Sequence, residues 1–215
     1  MKFPLDPPTR PSATNHGADR LPPPPTRPRL QARGGGRSRE ENERALLDAA
    51  RAGDVRAFRA LVARGVDLAA ARNAEGKSAA MVAAGANQAE ILREIVRAAG
   101  RGLLTKAAKD GGTPAMSAAV HGQTAALQAL GDALDAQEEL NVQDEDGWTA
   151  LHFAVAADHP ASVSVLLAYG ADPYQENDAG ETALTLAHER ELEQVLHAMR
   201  FPSKDPNVLG DELTS

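Results

Sequence analysis

Six histidines and the run Asp144-Glu145-Asp146 hold most of the chemistry this chain could offer. A zinc site needs ligands that converge. His188 and His197 stand nine residues apart, too far to share one face on adjacent helical turns. Glu189 follows His188, yet no His-Glu-x-x-His motif occurs, nor a glycine-rich phosphate loop. No Ser, His and Asp set stands in the motif context of a nucleophilic hydrolase. The 144–146 run resembles the start of a calcium loop, but the spaced oxygen ligands and the closing Glu are missing. It reads better as a hairpin tip. Cys is absent from the sequence, which leaves no disulfide framework, thiol nucleophile or thiolate metal site. Together these observations argue against an enzyme, a metal and a cofactor.

Composition points the same way. Of 215 residues, 42% are hydrophobic but only 3% aromatic, so Ala, Leu and Val must form the core. Such small side chains predict closely stacked helices. The net charge of −7 is uneven: residues 1–40 hold eight basic and three acidic side chains, or +5, which leaves −12 for the rest. Nine of the 14 prolines fall between Pro4 and Pro28, and Arg-Gly-Gly-Gly-Arg follows at 33–37. Too little apolar surface lies there to offset the entropy of ordering. Residues 1–40 are therefore expected to be a disordered Pro/Arg-rich tail, 41–200 a folded domain, and 201–215 a second disordered tail. No apolar run suits a signal peptide or a membrane span. A cytoplasmic monomer is expected, and the 18 Arg against 5 Lys suggest a GC-rich, bacterial source.

The folded part repeats. GKSAAMVAA starts at Gly76, GGTPAMSAA at Gly111, GWTALHFAV at Gly147 and GETALTLAH at Gly180, with steps of 35, 36 and 33 residues. Ser78, Thr113, Thr149 and Thr182 sit two places after these glycines, where a hydroxyl caps a helix N-terminus. The glycines fit a turn with positive φ. Pro114 follows its cap at the first helical position, where a missing N–H costs nothing. Val163, Leu166 and Leu167 recur at helical spacing in a second, outer helix, and Gly170 ends it. A first unit without its leading turn runs over 46–68, and its Arg51, Arg56, Arg59 and Arg64 mark a polar end cap.

A period near 33 with this opening resembles the ankyrin repeat, and residues 146–177 are the best copy. The resemblance implies an all-α ankyrin-repeat solenoid of about five helix-turn-helix units with hairpin-loop tips. His152 matches the family histidine, which ties neighbouring repeats together by hydrogen bonds. Units two and three depart from the pattern at Ala80-Met81 and Ala115-Met116 and in the connections after them, where the weakest packing is expected. Members of the family bind partner proteins on a concave face of hairpin tips and inner helices. Carried onto this chain, that face comprises Glu75 and Lys77 in unit two, and Lys109, Asp110 and His121 in unit three. Unit four contributes Glu145, Asp146 and Trp148; unit five contributes Asp178, Glu181 and Arg190.

The tips around Trp148 are acidic, so the expected partner is a protein with a basic surface, and nucleic acid is disfavoured. Trp148 has two open roles: an interface anchor, or a ring packed along its own tip. In the N-terminal tail, Pro22, Pro25 and Arg27 match the spacing of an SH3-domain ligand. The function implied is a non-catalytic interaction module, an adaptor or inhibitor. The alternative is a bacterial effector secreted into a host cell, with the N-terminal tail as export signal.

Overall fold

The computed structural model describes residues 38–105, 108–134 and 140–205. Among these residues ten α-helices form five antiparallel pairs. They are α1 (Arg39–Ala52) with α2 (Val55–Ala63), α3 (Ala79–Gly85) with α4 (Ala89–Ala99), and α5 (Pro114–Val120) with α6 (Thr124–Ala133). α7 (Ala150–Ala156) with α8 (Pro160–Ala168) and α9 (Ala183–Glu189) with α10 (Glu193–Arg200) complete the series. The only β pairing among the described residues is two isolated bridges at hairpin tips, Arg72 with Ser78 and Glu176 with Thr182.

Local chemistry starts and stops each pair. Ser78, Thr113, Thr149 and Thr182 each accept the backbone N–H three residues on, and Pro114 opens α5. Between the two helices of a pair the chain must reverse. One residue there takes the left-handed conformation in all five units: Gly53, Asn87, Gly122, Asp158 and Glu191. The odd-numbered helices pack on one another in one layer and the even-numbered helices in a second. Ala50, Ala83, Ala118, Ala154 and Ala187 have no exposed surface in the first layer, which is how the backbones come close. Phe58, Ile91, Leu92, Leu127 and Leu166 fill the space behind, each worth about 1.5–3 kcal/mol relative to exposure.

The ends differ from the sequence expectation. Ser38 caps α1 in a reciprocal pair with Glu41, so the helix begins at Arg39, inside the predicted tail. At the other end, residues 201–205 run back over the even-numbered layer. The Ser203 N–H donates to Ser164 Oγ at 2.7 Å, Gln128 Nε2 donates to the Lys204 carbonyl, and the Lys204 ammonium lies 4.0 Å from the centre of the Tyr169 ring. Ser164, buried on α8, also donates from Oγ to the Ser203 carbonyl at 3.2 Å. Tyr169 fits there because Gly131 beneath it has no Cβ; one would lie 2.5 Å from the ring. The described parts of the two long connections return Leu104, Leu134 and Leu140 to the core.

Candidate partner-binding face

Four hairpin tips share one design. Asn73, Ala108, Asp144 and Asn177 each donate their N–H to a carbonyl four residues on and accept the N–H of the glycine three residues on. Asn73, Asp144 and Asn177 add their side chains, each oxygen taking two backbone N–H groups of its own tip. Asp144 is therefore a turn former, and its carboxylate is committed within the tip. Ala108 offers no such oxygen, and Asp110 substitutes by accepting the Gly112 N–H. Successive tips are bonded too: the Glu145 N–H donates to the Asp110 carbonyl and the Asp178 N–H to the Asp146 carbonyl. Gly147 serves twice here. Its φ is +78°, and a Cβ would stand 2.6 Å from the Asp178 nitrogen.

His152 is fully buried. Its Nδ1 lies 2.8 Å from Thr149 Oγ1 and accepts the Thr149 N–H at 3.2 Å; its Nε2–H donates to the Glu181 carbonyl of the next unit at 3.1 Å. Burial pushes the imidazole pKa down, against the pull of that carbonyl. Met116 holds the same place in unit three, and its sulfur accepts the Thr113 N–H at 3.3 Å. A thioether has no donor for the next tip. Other groups link those units: Ser117 Oγ donates to the Met81 carbonyl, the Ala126 N–H to Asn87 Oδ1, and His159 Nε2 to the Val120 carbonyl.

Trp148 is half-buried. Its ring centre lies 5.8 Å from that of His152 and 5.3 Å from that of Phe153, both tilted. The ring thus covers the inner helix of its own unit.

The tips and inner helices of units two to four enclose a depression of about 280 Å³. Met81, Met116, Val120 and Phe153 form its apolar lining, with Asp110, Glu145, Asp146, Lys77 and His121 along its rim. A second depression next to it shares Lys77, Met81 and His121 and adds Arg51 and Glu75. The volume falls just below the range of about 300–1,000 Å³ usual for small-molecule sites.

The residues carried over from the repeat pattern divide accordingly. Lys77, Asp110, His121, Glu145 and Asp146 meet at the first depression. Glu75 is paired with Lys77 at 2.9 Å, which holds its carboxyl below the usual range. Lys109 is exposed on its tip and lines a separate hollow with residues of the unit-two tip. Asp178 is exposed, Glu181 accepts from Asn177 Nδ2, and Arg190 donates to the Ala156 carbonyl; none of these lines the depression. The lining Met81, Met116, Val120 and Phe153 were not singled out from sequence as contact residues. Met81 and Met116 looked like departures from the repeat, and that departure was their signal. Pro22, Pro25, Arg27 and the export-signal reading lie outside the described residues.

No group of three or more His, Cys, Asp or Glu side chains converges as a metal site among the described residues. No helix there is long and apolar enough to cross a membrane.

Two family models match the chain, Ankyrin repeats (3 copies) over 46–137 and Ankyrin repeats (many copies) over 133–187. The chain belongs to the ankyrin-repeat family. Similar relatives include the Mitochondrial disaggregase of Bos taurus, 33% identical over 169 residues, covering 74% of this chain and 23% of that protein. The L-asparaginase of Dirofilaria immitis is 33% identical over 160 residues, 74% of this chain and 26% of its own length. Protein phosphatase 1 regulatory subunit 12A of Rattus norvegicus is 30% identical over 110 residues, 47% of this chain and 10% of its own. The chain spans about a quarter of the length of the first two, and the activities in their names are said of them. These relatives come from mammals and a nematode and give no support to the bacterial source expected from the arginine content.

Proposed function

We propose that the chain is a non-catalytic, monomeric cytoplasmic interaction module that binds a partner protein through its tips and inner helices. The observation that carries this reading is the depression of units two to four, where three exposed acids, with Lys77 and His121, border an apolar lining. Glu145 and Asp146 have no ion-pair partner among the described residues, so a basic partner surface fits them. A relative named as a phosphatase regulatory subunit is consistent with a binding role.

The test is affinity for a partner captured by the full chain, then purified. Glu145→Lys with Asp146→Lys should weaken binding at least tenfold, whereas Glu193→Lys on the even-numbered layer should leave it unchanged. The reverse pattern would overturn the reading. Sedimentation should give one protomer.

A further inference from the structure

The depression has a cause in three residues that break the repeat. The place just before the helix cap is Lys77 in unit two, Trp148 in unit four and Glu181 in unit five, but Gly112 in unit three. Where Trp148 stands, its ring covers the first turn of the inner helix. At Gly112 no side chain stands over the corresponding turn, where Met116 is buried with its edge on the depression and Ser117 is half-buried. A Cβ at 112 would lie 3.6 Å from the Met81 methyl and 3.1 Å from Asp110 Oδ1, so any larger side chain would project into the depression. The φ of Gly112 is not in the left-handed region, so the turn does not require glycine here. Met81 and Met116 stand where unit four has the locked His152. The Met116 sulfur is held only by the Thr113 N–H of its own cap, and unbranched thioether side chains adapt to a guest better than an imidazole bonded to two units does. Val120, 40% exposed, extends the apolar lining toward solvent.

We propose that this gap is a subsite for one large apolar side chain of an extended partner segment, with a Lys or Arg beside it directed to Asp110, Glu145 and Asp146. It rests on the reading of this face as the partner-binding face. The apolar side chain takes the space that Trp148 fills one unit later. The adjacent cation meets the acidic rim, and an acidic neighbour would be repelled. Lys77, already paired with Glu75, leaves the rim's negative charge unbalanced.

The experiment uses the full chain with labelled Met and Val methyl groups and three synthetic twelve-residue probes on a Gly/Ser scaffold. One carries Leu flanked by two Arg, one Leu flanked by two Glu, and one two Arg without Leu. The Leu/Arg probe should shift the methyl signals of Met81, Met116 and Val120, and bind at least tenfold tighter than either other probe. Gly112→Phe, filling the gap, should abolish those shifts with an unchanged thermal midpoint. Val120→Glu, at an exposed position, should weaken the Leu/Arg probe at least fivefold should the Phe variant not fold. Absence of shifts at these methyls, equal binding of the Leu/Glu probe, or full binding by the filled variant would each overturn the subsite. The captured partner separates the two levels. Its loss on Glu145→Lys with Asp146→Lys but not on Gly112→Phe removes the subsite alone; its indifference to all of them removes the face as well.

Discussion

At the scale of single residues, the least visible feature in the sequence is Glu94. Only 7% exposed, it takes a two-pronged bond from Arg59 of the preceding unit, 2.6 Å at each oxygen, and a further bond from Arg97 on its own helix. The Arg59 bond, opposed by burial and helped by Arg97, brings its pKa down to about 2. A carboxylate depressed in the fold contributes stability that is complete above its unfolded pKa and is lost as pH falls toward the folded one. Glu94→Gln should therefore cost about 1–2 kcal/mol at pH 7, a figure held down by the exposure of both arginines. It should cost almost nothing near pH 2. Urea denaturation at both pH values reads the difference. Glu191 offers a change of opposite sign. It alone of the five reversal residues is a long side chain in the left-handed region, so Glu191→Gly should raise stability by roughly 0.5–1 kcal/mol in the same assay. Trp148→Ala should lower it by about 1 kcal/mol, because the ring rests on His152 and Phe153.

At the scale of elements, the helix starts were legible because one hydroxyl at one place does the same work in units two to five. Ser78, Thr113, Thr149 and Thr182 announce it directly. The reversal between paired helices was not, since Gly, Asn, Asp and Glu all adopt it and no residue type marks it. Acidic charge misled for a related reason. Asp144 counts as a free acid in sequence, yet it ties the Asp146 and Trp148 N–H groups into the tip. The inner helices differ in how firmly they hold the next unit. His152 reaches the Glu181 carbonyl, whereas Met116 makes only the bond within its own cap. His152→Met should consequently loosen α9. Amide exchange at Ala183, Leu186 and Ala187 should speed up about fivefold or more, the loss of roughly 1 kcal/mol, with α3 unaffected. Acidification should act in the same direction on the native chain. His152 has a lowered pKa, so its contribution is complete above the ordinary imidazole value and is lost as pH falls below it.

At the scale of the whole molecule, the repeat period made the family readable, since each unit can bury its apolar faces only against a neighbour. The position of the depression was not readable. It arises from what is missing, a side chain at Gly112 and an imidazole at Met81 and Met116, and a periodic pattern draws the eye to what is present. The repeat pattern is most regular at Trp148 and Glu181, but the acids and apolar groups that converge do so across units two to four. Binding to a basic partner should weaken as salt rises, with the steepest dependence in the native chain and a flatter one after Glu145→Lys with Asp146→Lys. The most direct measurement of the central claim is amide hydrogen exchange on the full chain, free and saturated with its captured partner. Protection is predicted at the tips and inner helices of units three and four, residues 108–121 and 144–153, with the even-numbered helices α4, α6 and α8 unchanged. Protection confined to α4, α6 and α8 would contradict it.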